Sequence, residues 1–147
     1  MAAQRLVFAP RMALPEHLAR HRVADLFLDT FPVNAHTTAS DALWAGCPLL
    51  TMAGESFVSR VAGSLLRAVG LPELITRSLD EYHSLALRLA SDAAYLGGLR
   101  SRLAANRKTS RLFDAGQFAR NLEKAYVTMR EIHASGRQPR AFTVSPT

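Results

Sequence analysis

One cysteine, Cys47, stands among the 147 residues. That excludes an internal disulfide and any cysteine-rich zinc site. No apolar run approaches the ~18–20 residues a membrane span requires. The N-terminus lacks the roughly 7–15-residue apolar core of a signal peptide, so a cytoplasmic protein is expected. Eight glycines and seven prolines are too few for collagen-like or linker-like sequence. No Walker loop, GxGxxG run or Ser-His-Asp set occurs, and no internal repeat or low-complexity segment. What remains is ordinary globular sequence, 48% hydrophobic and 20% charged. At about 150 residues per domain this is one domain or part of one.

Lysine is also scarce: Lys108 and Lys124 are the only two, and arginine supplies the rest of a +6 net charge. Residues 1–76 balance six basic against six acidic residues, whereas residues 77–147 carry twelve against six. The densest stretch runs from Arg100 to Arg111. A charge run of this kind is a solvated helix face or a surface for nucleic acid or an acidic protein.

The first 52 residues alternate apolar runs with helix-like segments. Arg5–Ala9, Asp25–Asp29 and Pro48–Met52 read as strands, with Leu74–Thr76 as a short fourth. Helices are expected over Pro15–Val23, Thr38–Ala45 and Glu55–Val69, with Gly46 and Gly70 as C-terminal caps. Near-continuous apolar strands separated by helices are the pattern of a parallel sheet covered on both faces. Leu6, Phe8, Leu26, Leu28, Leu49 and Leu50 are therefore expected in the core, with the last two helices packed on one side. Those later helices start near Ser78, Asp92 and Gln117. Residues 1–134 read as one lobe and 135–147 as an extended tail. So few strands followed by so many helices predict the back half of a larger doubly wound fold.

The most informative segment, Asp29 to Pro48, leaves the end of a strand, turns, and enters a helix. Ligands of open α/β sheets bind at that edge. A helix N-terminus offers unpaired N–H groups and partial positive charge, which suits phosphate. His36, Thr37 and Thr38 add side-chain donors there, and Asp41, one turn in, can accept from sugar hydroxyls. A purely structural role competes: Thr38 as N-cap with Asp41 as the third helical residue of a variant capping box.

His17, Arg20 and His21 form a second cluster at i,i+3 and i,i+4 spacing. A ring and a guanidinium on one face can stack on a nucleobase. A surface Glu16–Arg20 pair is the plainer alternative. Two histidines without an HExxH pattern make a poor metal site, and no metal is expected. Cys47 reads as a buried, inert thiol and Trp44 as core.

Leu28-Asp-Thr30, Asn34 through Pro48, and Gly54 through Leu66 together resemble the C-terminal catalytic lobe of the O-linked N-acetylglucosamine transferases, including their SPINDLY-type relatives. The resemblance runs from Arg5 to about Pro139. It implies a GT-B architecture, α/β with a partial Rossmann-like parallel sheet followed by C-terminal helices. It also implies a missing first lobe and tetratricopeptide repeats ahead of this chain. By the resemblance, His36, Thr37 and Thr38 hold the donor's diphosphate, and Asp41 takes the ribose hydroxyls. His17 stacks on the uracil, Arg20 lies near the base, the Met12 backbone meets the uracil edge, and Val33 lies near the N-acetyl group. The implied function is inverting transfer of N-acetylglucosamine from UDP to Ser or Thr of proteins. The expected partners are a nucleotide sugar and a protein acceptor, with no cofactor, no membrane and no nucleic acid. Two alternatives stand beside it: a GDP-fucose-using SPINDLY-type protein O-fucosyltransferase, and a basic, non-enzymatic module for nucleic acid or acidic protein. The chain alone is expected to be inactive.

Overall fold

The computed structural model describes residues 2–145. Three short strands, β1 (Phe27–Leu28), β2 (Leu49–Met52) and β3 (Ile75–Thr76), form a parallel sheet in the order β1-β2-β3. Phe27 lies opposite Leu49, and Thr51 opposite Ile75. Six helices accompany them: α1 (Leu14–Arg20), α2 (Thr37–Ala45), α3 (Val61–Ala68), α4 (Leu79–Ser91), α5 (Ala93–Asn106) and α6 (Ala115–Ala134). The α2 crossover joins β1 to β2, and the α3 crossover joins β2 to β3, which makes this the α/β class expected of the sequence.

The core forms where β2 passes between helices. Every residue of β2 is buried. Leu43 of α2, Leu66 of α3, Leu89 of α4 and Leu99 and Leu103 of α5 close around Leu49 and Leu50. The connections are set locally. Gly46 (φ 91°) and Gly70 (φ 78°) take the left-handed conformation after α2 and α3. At each, the glycine N–H and the next N–H reach back to helix carbonyls: Gly46 to Leu43 and Cys47 to Ala42, Gly70 to Arg67 and Leu71 to Leu66. These paired bonds satisfy carbonyls that the helix end would otherwise orphan. Ser78, Asp92 and Asp114 cap α4, α5 and α6 through backbone N–H groups of Glu81, Tyr95 and Gln117.

Several expectations are corrected. Arg5–Ala9 is not a strand: residues 3–5 form a 3-10 turn and the chain beyond has no ladder partner among the described residues. Leu6 and Phe8 are accordingly exposed, and so is Leu28 on edge strand β1. The helix expected from Glu55 begins only at Val61. Before it, Gly54 donates to the Ser59 carbonyl and the Ser56 and Ser59 hydroxyls pair, which folds this stretch into a tight loop and leaves Phe57 outside. Of the last two helices only α5 joins the core, and α6 buries little beyond Ile132.

Cys47 is buried at the end of α2, its Sγ 3.6 Å from the Pro48 carbonyl. Burial pushes its thiol pKa up, partly opposed by the Arg100 charge. A raised pKa and loss of access both suppress thiolate chemistry. Iodoacetamide should therefore label the native chain at least 100-fold more slowly than the urea-unfolded chain, followed by mass spectrometry. Equal rates would contradict an inert thiol.

Candidate functional site

The site is built on the loop between β1 and α2. Asp29, buried at the carboxyl end of β1, accepts from the Thr30 and Ala35 N–H groups through Oδ1 (2.8 and 2.7 Å). Its Oδ2 accepts from the Thr51 hydroxyl on β2 at 2.6 Å. Asn34 donates from Nδ2 to the Thr30 and Met52 carbonyls, and from its backbone to Val58. The Thr30 hydroxyl closes on the Val33 carbonyl across a cis Phe31–Pro32 bond. Tyr82, whose pKa is raised by burial and by the Asp29 charge, donates its hydroxyl to the Asp29 carbonyl from α4. The loop is thus tied to the ends of β1 and β2 and to α4, and delivers the chain to α2 at a fixed place.

The N-cap position of α2 is His36, not Thr38, and no side chain caps it. The first helical bond is Ser40 N–H to the His36 carbonyl. Among the described residues the N–H groups of Thr37, Thr38 and Ala39 have no acceptor, and both threonine side chains are exposed. The capping-box role for Thr38 and Asp41 is therefore corrected: Asp29, reaching across from β1, already fixes the helix entry. The His36 ring packs edge-on against Phe57 (6.1 Å), and its buried Nε2 lacks a partner among the described residues, as does Asn34 Oδ1. What results is a row of unfilled donors at the carboxyl edge of the sheet, exposed at Thr37 and Thr38.

His17 and Arg20 of α1 meet Asp41 of α2 beside this row. An Arg20 Nη lies 2.6 Å from His17 Nδ1, and Nε2 of the same ring faces the Asp41 carboxylate at 3.8 Å. A guanidinium has only donors, so Nδ1 accepts and the proton sits on Nε2, toward the carboxylate. Arg20 also donates to the Pro10 carbonyl at 2.9 Å, two residues before Met12. The alternative Glu16–Arg20 pair is absent from the ion pairs among the described residues. His21 packs edge-on against His17 at 4.8 Å and bonds its carbonyl. Among the described residues no group of three or more His, Cys, Asp or Glu is placed to hold a metal ion. Val33 is exposed on the loop, on the approach to the helix end. Sequence reasoning missed Asp29 and Asn34 as the groups that position the site. Their signal, an Asp closing a strand and an Asn before a helix, is too common to single out.

The basic stretch is partly spent inside the molecule. Arg100 pairs with Asp25 at 3.0 Å and Arg102 with Glu73, while Arg107 donates to the Trp44 carbonyl. Trp44 itself is half exposed rather than core, because it lies on the outer side of α2 against Phe113.

Fold and site together define an open α/β lobe whose sheet edge presents the uncapped N-terminus of α2. The model of glycosyl transferase family 41 matches residues 1–122, and the chain belongs to that family. It is 42% identical over 140 residues to an Arabidopsis thaliana protein described as a probable UDP-N-acetylglucosamine–peptide N-acetylglucosaminyltransferase, SEC, across 95% of this chain and 14% of that protein. A Caenorhabditis elegans UDP-N-acetylglucosamine–peptide N-acetylglucosaminyltransferase is 42% identical over 132 residues, 90% of this chain and 12% of that one. A Petunia hybrida relative, described as a probable enzyme of the same kind, SPINDLY, is 39% identical over 92% of this chain and 15% of its own length. A mutant O-GlcNAc transferase of Thermobaculum terrenum superposes with TM-score 0.77 at 36% identity, over 87% of this chain and 24% of its own. The chain thus spans a small part of each relative.

Two expectations for stability follow. Asp29→Ala leaves the Thr30 and Ala35 N–H groups and the buried Thr51 hydroxyl without their acceptor. At about 1–3 kcal/mol for each such group, it should lower unfolding free energy in urea by at least about 3 kcal/mol. A loss under 1 kcal/mol would show the carboxylate to be dispensable. Ser78→Ala removes a real cap and should cost about 1 kcal/mol, whereas Thr38→Ala should change the melt by less than about 0.3 kcal/mol. A Thr38 loss as large as that at Ser78 would restore the capping role.

Proposed function

We propose that the chain is the donor-binding lobe of an inverting protein O-N-acetylglucosaminyltransferase, which moves N-acetylglucosamine from UDP to Ser or Thr of proteins. One observation carries this reading. The fold brings His17, Arg20 and Asp41 together beside the uncapped N-terminus of α2, from separate elements. A diphosphate at that terminus would take the free N–H groups, the Thr37 and Thr38 hydroxyls and the unpartnered His36 Nε2. The same donors would stabilise the charge that develops on the leaving diphosphate, which needs no metal. Asp41 would take the ribose hydroxyls. His17, already oriented by Arg20 and Asp41, would stack on the uracil, whose edge meets the Met12 backbone. Val33 would border the N-acetyl group. Membership of the family and the peptide N-acetylglucosaminyltransferases among the relatives support this donor and a protein acceptor. The lobe so assigned is residues 1–134. On this reading the chain supplies one side of the cleft, and half a cleft cannot orient donor against acceptor, which supplies ~7–11 kcal/mol of a barrier.

Calorimetric titration of UDP into the chain tests the site. Asp41→Ala, His17→Ala and Thr37→Ala should each weaken binding about tenfold or more, roughly 1.4 kcal/mol per decade. Their melts should stay within about 1 °C of the parent. Unchanged UDP affinity in all three would refute the site, and tighter binding of GDP than of UDP would move the donor to GDP-fucose. Labelled UDP-N-acetylglucosamine with the chain alone should give no transfer.

A further inference from the structure

The end of α2 away from the donor row carries a second concave site. A cleft of about 860 Å³ lies between α1, the last turn of α2 and the loop joining α5 to α6. Leu18, Arg22, Trp44, Arg107, Lys108 and Phe113 line it. Its volume falls within the roughly 300–1,000 Å³ of ligand-sized clefts.

Trp44 forms the floor and is held rigidly while remaining 49% exposed. Phe113 packs edge-on against it at 5.1 Å, and the Arg107 guanidinium lies 5.7 Å from its ring centre while bonding its carbonyl. A fixed, half-exposed tryptophan is the kind of anchor that dominates interfaces, because little side-chain entropy is lost when it is covered. Among the described residues its indole N–H donates to nothing.

Cations flank this floor on both sides. Arg22, just past α1, and Lys108, beyond α5, have exposed side chains with no hydrogen bond or ion pair among the described residues. They contrast with Arg100 and Arg102, whose charges are matched within the chain. Asp114 also lines the cleft, with Oδ1 occupied as the cap of α6. The cleft therefore offers two unengaged cations, Arg22 and Lys108, across an apolar floor, and the Arg107 charge over Trp44 has no carboxylate partner among the described residues either.

From this complementarity we propose that the cleft docks an extended acidic segment of a separate protein. An apolar side chain of that segment covers Trp44, and carboxylates on either side meet Arg22 and Lys108. Two charges on opposite walls suit alternating side chains of an extended peptide. Nucleic acid fits less well, since it needs a longer continuous basic track, and Arg100 and Arg102, which would extend one along α5, are engaged with Asp25 and Glu73. Thr37 and Trp44 stand about 10 Å apart along α2 at 1.5 Å per residue, so the donor row and the tryptophan floor lie at opposite ends of that helix.

Trp44 is the only tryptophan in the chain, so its fluorescence reports this cleft directly. The probe is a synthetic eight-residue peptide of alternating Glu and Leu, titrated into the 147-residue chain. Saturable change in Trp44 emission is expected, weakened severalfold by raising salt from 50 to about 200 mM. The double variant Arg22→Ser with Lys108→Ser should weaken the peptide at least tenfold, with an unchanged melt and unchanged UDP titration, since both side chains are free. Absence of any emission change, or equal peptide affinity in the double variant, would overturn the proposal. So would a single-stranded thymidine oligonucleotide that displaces the peptide and binds more tightly. If UDP binding fails while the peptide still binds, the cleft stands and the donor assignment falls.

Discussion

The Asp29 carboxylate accepts three hydrogen bonds at the carboxyl end of β1, and the position of α2 depends on them. A strand of two residues cannot by itself aim a following helix. Here the buried carboxylate grips Thr30 and Ala35 on either side of the loop and Thr51 on the neighbouring strand. Loop and sheet are thereby locked together through one side chain. Hydrogen bonds to a charged acceptor are the stronger kind, and at a buried position each unmade one is costly. Asn34 and Tyr82 add bonds from the same loop to β2 and α4, so the helix entry is fixed from three directions.

Because that grip comes from outside the helix, α2 needs no cap of its own. Its two ends are treated oppositely. At Gly46 and Cys47 the last carbonyls are closed by backbone bonds, while at Thr37 and Thr38 the first N–H groups stay open. In an isolated helix, leaving the N-terminal donors unfilled costs stability. Long-range anchoring offsets that cost and leaves the donors open. The neighbouring helix contributes in the same way: Arg20 fixes the His17 ring against Asp41, so those side chains hold one another in place. Preorganised donors and rings lose less freedom on binding than mobile ones.

How much of this could be read from the chain depends on how local its causes are. The caps at Ser78 and Asp92 and the left-handed glycines at 46 and 70 lie within a few residues of the ends they close, and the sequence predicts them. The parallel sheet was legible from apolar runs alternating with helices. The strand expected at Arg5–Ala9 was not, because apolar composition says nothing about whether a neighbour exists to pair with it. Thr38 has every local feature of an N-cap, yet the entry is decided by Asp29 from β1. The roles of His17, Arg20 and Asp41 came from resemblance, and their mutual contact spans two helices, beyond any spacing rule. Trp44 failed as a core residue for a related reason: its face of α2 is set by where α1 and the α5–α6 loop stop short of covering it.

The distribution of charge follows the same division between engaged and free groups. Counted from sequence, Arg100 to Arg111 is one basic run with a single character. In the folded chain Arg100 ties the start of β1 to α5 through Asp25 and the Ala24 carbonyl, and Arg102 reaches Glu73 before β3. Arg107 holds the C-terminal end of α2 from below. These arginines act as cross-links between α5 and the sheet's connections, where a planar guanidinium can satisfy carboxylate and carbonyl at once. Arg22 and Lys108 have no such work. A positive charge left unmatched beside a rigid, half-exposed aromatic ring gives the lobe no fold stability. Its effect falls on whatever approaches the surface, and at the far end of α2 from the donor row that leaves an acidic partner as the group with the most to gain.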